Sequence, residues 1–145
     1  MMKKILITGA NKSIGFETAR QLLKEGYFVY IGSRSLENGI AAVERLKAEG
    51  LENAEAVQLD VTDAQSVKEA RNQIGSKTDS LDALINNAGI NGGWPQSALQ
   101  AGIGQFQDVF ETNLYGVVRV TQAFIDLLKK SSQPCIVNVS SSGCS

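Results

Sequence analysis

The sequence of 145 residues contains no histidine. That excludes a Ser-His-Asp or Cys-His nucleophile system and any zinc site that relies on imidazole. Cysteine is scarce. Cys135 and Cys144 are too few for a disulfide framework. Cys135 falls in a run that reads as a buried strand, with Cys144 just beyond it. Both are expected to be unbridged thiols, as suits a reducing compartment. Neither sign of charge is in excess: 14 Lys and Arg face 15 Asp and Glu, a formal net charge of −1. A nucleic-acid partner is not expected, because phosphate contacts need surplus cations. Long apolar runs are missing too, and no stretch approaches the ~20 residues that span a bilayer. The opening Met1-Met2-Lys3-Lys4-Ile5-Leu6-Ile7 reaches Thr8-Gly9 too soon for a secretory core of about 7–15 apolar residues. The expectation is a cytoplasmic protein with no membrane partner.

What is present is a globular composition, 43% apolar and 20% charged, in a chain the size of one domain. Short β-type runs alternate with longer helical patterns. Lys4–Thr8 is a near-continuous apolar run, the pattern of a strand covered on both faces. Ile14–Lys24 carries Phe16, Ala19 and Leu22/Leu23 at helical spacing, and Gly26 stands where a C-terminal cap belongs. Further strands are expected at Tyr27–Ile31, Ala54–Leu59, Leu81–Ile85 and Cys135–Val139. Leu36–Ala48 reads as a helix ending at Gly50. Another follows Thr62, whose hydroxyl would pair with Gln65 in a capping box. Val67, Ala70 and Ile74 give that helix its apolar face, and Gly75 closes it. Gly92–Pro95 is a loop by its breakers. A long helix runs from Phe106 to Leu128. Strands alternating with helices make a βαβ series, hence a parallel sheet with helices on both faces.

Thr8-Gly9-Ala10-Asn11-Lys12-Ser13-Ile14-Gly15 joins the first strand to the first helix. In a doubly wound fold this is where phosphate binds, because backbone N–H groups and the helix dipole face an anion there. Small residues let the backbone approach the ligand, and Gly15 lets the helix pack on the strand. A nucleotide-triphosphate loop is excluded, since Lys12-Ser13 follows Asn11 rather than a glycine. The end of the second strand sorts the dinucleotides. NAD sites place an Asp or Glu there for the ribose 2′-hydroxyl, whereas an Arg accommodates a 2′-phosphate. This chain reads Gly32-Ser33-Arg34, with no acid until Glu37. Arg34 offers a planar fork and Lys12 a point charge, so NADP is expected over NAD.

With these residues in place the chain resembles the N-terminal part of a classical short-chain dehydrogenase/reductase, along essentially all of its length. Residues 1–145 then form a single dinucleotide-binding domain of Rossmann type, a doubly wound parallel sheet with five of the family's strands. Thr8, Gly9 and Gly15 match the family's T-G-x-x-x-G-x-G, with Ser13 in place of the middle Gly. Asn11-Lys12 with Arg34 is similar to the NADP-preferring, carbonyl-reductase-like members. The resemblance implies that Gly9, Asn11, Lys12, Ser13, Ile14 and Gly15 hold the pyrophosphate side of the cofactor. It implies that Asp60 contacts the adenine, next to Val61. Asn86-Asn87-Ala88-Gly89 matches the family's N-N-A-G, in which Asn87, Ala88 and Gly89 line the nucleoside part. Thr112-Asn113 matches the helical Asn that ties a water to the catalytic Lys. Ile136-Val137-Asn138-Val139-Ser140-Ser141 resembles the strand that delivers the catalytic Ser, assigned to Ser141, with Ser140 and Ser142 as alternatives one residue away.

The family's proton donor is a Tyr in Y-x-x-x-K after that Ser, and these 145 residues do not contain it. Tyr27, Tyr30 and Tyr115 are followed four residues later by Ile31, Arg34 and Arg119. Tyr115-x-x-x-Arg119 precedes the Ser and reads as helix packing. Three readings follow. The residues are part of a longer NADP(H)-dependent oxidoreductase acting on a carbonyl or secondary alcohol. Alternatively they are a truncated fragment, or a non-catalytic NADP-binding module. The first is preferred, and the 145 residues alone are then expected to be inactive for want of an acid catalyst. In the longer protein a homo-oligomer is expected. Without later strands, the fifth would lie at an exposed parallel edge.

Overall fold

A computed structural model describes residues 2–11, 13–87 and 103–139, with residue 13 and residues 103–113 described by backbone alone. The elements are β1 (Lys4–Ile7), α1 (Ser13–Lys24), β2 (Phe28–Ser33), α2 (Leu36–Ala48), β3 (Ala54–Gln58), α3 (Ala64–Gly75), β4 (Ala83–Asn86), α4 (Ile103–Lys129) and β5 (Cys135–Asn138). All strand pairings are parallel, in the order β3-β2-β1-β4-β5.

Alternation along the central strands sorts the core into two layers. Ile5 and Ile7 of β1, with Val29 and Ile31 of β2, pack against Phe16, Ala19 and Leu23 of α1 and Ala42, Val43 and Leu46 of α2. Leu6 and Tyr30 point to the opposite face, where Val67, Ala70 and Ile74 of α3 meet Val120, Phe124 and Leu128 of α4. Each fully buried Leu, Ile or Phe contributes about 1.5–3 kcal/mol, so both faces of the sheet are strongly held. The sheet is thus doubly wound, and β1 is covered on both faces as the run Lys4–Thr8 predicts.

Several boundaries differ from the sequence expectation. β2 starts one residue late and continues two residues past Ile31. Its extension is non-local: Gly32 and Ser33 pair with Val57 and Gln58 of β3. Gly32 suits the site because a Cβ there would lie 2.9 Å from the Ile7 carbonyl. β4 starts at Ala83 because Leu81 is taken up otherwise, fully buried with its N–H donating to the Leu127 carbonyl at 3.1 Å. α3 is capped by Asp63, not Thr62: the Asp63 side chain accepts from Gln65 N. The Thr62 hydroxyl donates instead to Asp60 Oδ1 at 2.6 Å, a charged acceptor that makes the stronger bond.

The buried strand expected around Cys135 is also corrected. β5 pairs with β4 alone among the described strands, and all four of its residues are exposed. Cys135 is accordingly an exposed free thiol. Cys144 and Gly92–Pro95 lie outside the described residues. Among the described residues no helix is long and apolar enough to cross a membrane, and no cluster of side chains could hold a metal ion.

Candidate functional site

The chain builds β1, β2 and β3 outward in one direction, then returns to lay β4 on the other side of β1. The crevice at the carboxyl ends of β1 and β4 is therefore the topological switch point, where open α/β sheets bind ligands. Thr8 and Asn87 face each other across it. The Asn87 N–H donates to Thr8 Oγ1 at 2.8 Å, and Thr8 N–H donates to the Ile85 carbonyl at 3.0 Å. Asn87 Nδ2 donates to the Gly9 carbonyl at 3.1 Å. Gly9 turns the chain with φ of 64°, a conformation that favours glycine. A Cβ on Gly15 would lie 2.5 Å from Asn87 Nδ2 and 2.6 Å from the Gly9 carbonyl, so α1 begins as close to β4 as a glycine allows. Ala10 N–H donates to the Gly32 carbonyl at 2.9 Å, which fixes the loop to β2 as well.

The first turn of α1 contains no acidic residue, so nothing there competes with an anion for the helix terminus. Ile14, in the first turn of α1, is 59% exposed, and Asn11 is partly buried. Arg34 stands one residue beyond β2, exposed and in no ion pair among the described residues. Asp60, two residues beyond β3, is half-buried. Its carboxyl is held below the ordinary aspartate value, first by the Thr62 hydroxyl, then by the Thr62 N–H, and further by the Arg34 and Arg119 cations. Val61 is buried, and Arg119 Nη1 donates to its carbonyl at 2.6 Å. Gly116, one turn before Arg119, leaves space for Val61, whose Cγ2 would be 3.0 Å from a Cβ there.

On the other side of the crevice, Asn86 is buried and donates through Nδ2 to Asn138 Oδ1 at 2.9 Å and to Thr121 Oγ1 at 3.4 Å. It thus ties β4 to β5 and α4.

Of the expected site residues, Gly9, Asn11, Ile14, Gly15, Arg34, Asp60, Val61 and Asn87 stand along the carboxyl edge of the sheet or the first turn of α1. Lys12, Ala88, Gly89 and Ser141, with Ser140 and Ser142, lie outside the described residues, and Ser13 and Asn113 are described by backbone alone. Sequence reasoning misses the Arg119 bond to Val61 and the bonds by which Gln58 and Ser66 join the Arg34 carbonyl to the Asp60 N–H. The packing assigned to Tyr115 and Arg119 is corrected: Tyr115 is 60% exposed, and Arg119 holds the Val61 carbonyl. Ser66 did carry a signal, a polar residue four before Ala70 and eight before Ile74 on the apolar stripe.

A family model described as "short chain dehydrogenase" matches residues 3–145. The (+)-neomenthol dehydrogenase of Capsicum annuum is 37% identical, over 94% of this chain and 55% of its own length. The menthone neomenthol reductase from Mentha piperita superposes with a TM-score of 0.83 at 36% identity, covering 98% of this chain and 61% of that one. ElxO with NADP bound has a TM-score of 0.79 at 36% identity, covering 99% and 58%. The chain thus spans about half the length of the curated relatives it matches. The family match, the parallel sheet and the glycine turn at its switch point agree, and the chain belongs to the short-chain dehydrogenase family.

Proposed function

We propose that this chain provides the NADP(H)-binding part of an oxidoreductase that interconverts a carbonyl and a secondary alcohol. One observation carries the cofactor choice. At the end of β2 the chain presents Arg34, exposed and outside any ion pair among the described residues, where an NAD site would place a carboxylate. The close approach of Gly9 and Gly15 and the acid-free start of α1 fit the pyrophosphate. Solved relatives that carry the cofactor include ElxO with NADP bound.

In this reading Arg34 and Lys12 hold the 2′-phosphate. Gly9, Asn11, Ser13, Ile14 and Gly15 hold the pyrophosphate through backbone N–H groups and small side chains. Asp60 and Val61 border the adenine, and Asn87, Ala88 and Gly89 line the nucleoside on the nicotinamide side. NADPH, when bound, supplies the hydride. Ser141 donates a hydrogen bond to the substrate oxygen, and Asn113 holds a water of the proton relay. Both roles rest on the motif match. The Tyr-x-x-x-Lys acid is not among these 145 residues, so a polypeptide of these residues alone is expected to bind cofactor without turning over substrate.

The test is equilibrium binding of NADPH and NADH to the protein and to Arg34→Asp. A lost charge-assisted bond and a new repulsion should weaken NADPH about ten- to a hundredfold, with far less effect on NADH. Equal losses for the two cofactors would sink the 2′-phosphate assignment.

A further inference from the structure

The last backbone bond between β2 and β3 runs from Leu59 N–H to the Ser33 carbonyl at 2.8 Å. The next acceptor along β2 is the Arg34 carbonyl, and no strand continues to meet it. Gln58 takes over there: its Nε2 donates to the Arg34 carbonyl at 3.0 Å. The other half of the same amide is engaged as well. Ser66 Oγ donates to Gln58 Oε1 at 2.7 Å, and Asp60 N–H donates to Ser66 Oγ at 2.9 Å. Ser66 is 4% exposed, so this hydroxyl is shielded from exchange with water.

The donors all point one way. A hydroxyl has a single proton, and that of Ser66 goes to Gln58, leaving a lone pair for the Asp60 N–H. The Gln58 amide is thereby fixed with its oxygen towards Ser66 and its NH2 towards Arg34. Bonds chained in one direction polarise and strengthen one another. The result is a side-chain bridge from the backbone of Arg34 to the backbone of Asp60, spanning the gap where the sheet has ended.

We propose that Gln58 and Ser66 are positioning residues for cofactor selectivity. They hold the backbone of Arg34 at a set distance and orientation from Asp60, so that one nucleotide bridges the guanidinium and the carboxylate. The proposal rests on the assignment of Arg34 to the 2′-phosphate. Neither Gln58 nor Ser66 contacts the ligand in this scheme. Their effect passes through Arg34 and is lost when Arg34 is gone.

Binding of 2′,5′-ADP and 5′-AMP, measured by titration calorimetry, separates the possibilities. These two probes differ only in the 2′-phosphate. Gln58→Met keeps side-chain length and removes the donor to the Arg34 carbonyl. Ser66→Ala removes the link to Asp60 in a small, buried position. Each variant should weaken 2′,5′-ADP about three- to tenfold, the worth of one net hydrogen bond, with less than about a twofold change for 5′-AMP. In an Arg34→Ala background, Gln58→Met should cause no further loss of selectivity. A merely structural role would lower melting temperature and weaken both probes alike, and that result overturns the proposal. So does a full additional loss of selectivity on top of Arg34→Ala. If Arg34→Ala itself leaves selectivity unchanged, the 2′-phosphate assignment fails and the proposal with it. If Arg34→Ala abolishes selectivity and both Gln58→Met and Ser66→Ala retain it, the bridge alone is refuted.

Discussion

The side-chain amide of Asn87 lies where a Cβ at position 15 would have to be, 2.5 Å from that point. The same amide donates to the Gly9 carbonyl, itself 2.6 Å from the Gly15 Cβ position. One side chain from the end of β4 therefore sets both how the glycine turn folds and how near α1 starts. Gly9 and Gly15 are brought together by contacts that leave no room for a side chain at residue 15.

Gly15→Ala tests this packing. The Gly9 carbonyl is backbone and cannot swing aside as a flexible side chain could, so the turn itself must shift. Overpacking of this kind costs about 1–3 kcal/mol, measurable by urea unfolding. With the turn holding the pyrophosphate as proposed, its displacement should weaken NADPH at least tenfold, read by calorimetry. Unchanged stability together with unchanged binding would mean that Asn87 and Gly9 yield to a side chain at residue 15 without cost.

Asp60 should titrate below an ordinary aspartate, and Thr62 should be the main reason. A carboxyl whose folded-state pKa is depressed adds stability at every pH above its unfolded value. That contribution is lost as pH falls through the folded-state pKa. In Thr62→Val the folded-state pKa rises towards the ordinary value, so acid unfolding sets in at higher pH. The carboxyl carbon shift of Asp60, followed by NMR against pH, reports the change directly. An Asp60 pKa unmoved by Thr62→Val would assign the depression to the Thr62 N–H, which valine keeps, and to the Arg34 and Arg119 cations.

Arg119 links α4 to the segment that follows β3 through its 2.6 Å bond to the Val61 carbonyl. Arg119→Met keeps much of the apolar stem and removes the donor. Leaving a partly buried carbonyl without this partner costs about 1–3 kcal/mol. Amide hydrogen exchange should rise at Val61 and Thr62, with the β1–β2 ladder unaffected. A uniform rise across the sheet would show that Arg119 supports the whole fold and not this segment.

Much of the architecture is written in local pattern. Ile5, Leu6 and Ile7 alternate between two helix layers, and a three-residue apolar run is enough to announce a strand buried on both faces. Gly15 and Asn87 are legible separately as motif residues. Their mutual exclusion is not, since it depends on β4 returning beside β1. The extension of β2 through Gly32-Ser33 has the same origin: neither residue favours a strand, and β3 supplies the pairing. The exchange of capping role from Thr62 to Asp63 is a local competition that turns on the nearness of the Asp60 carboxylate. Arg119 carries no sequence signal, because its partner is a carbonyl 58 residues away.

The outer edge at β5 gives the last prediction. Ile136 and Val137 are 41% and 42% exposed, on a strand that pairs on one side only among the described residues. Such an edge offers unpaired N–H and C=O groups beside apolar side chains, and a second chain can add to it. A polypeptide of these 145 residues should therefore self-associate with rising concentration, visible by light scattering. Val137→Lys places a charge on the strand at an already exposed position, where it costs little in stability and opposes edge pairing. Scattering should fall while the melting temperature stays within a few degrees of the parent. If Val137→Lys associates as readily as the parent chain, the sticky surface lies elsewhere. The exposed Leu114, Tyr115 and Val118 of α4 would then be the next residues to charge.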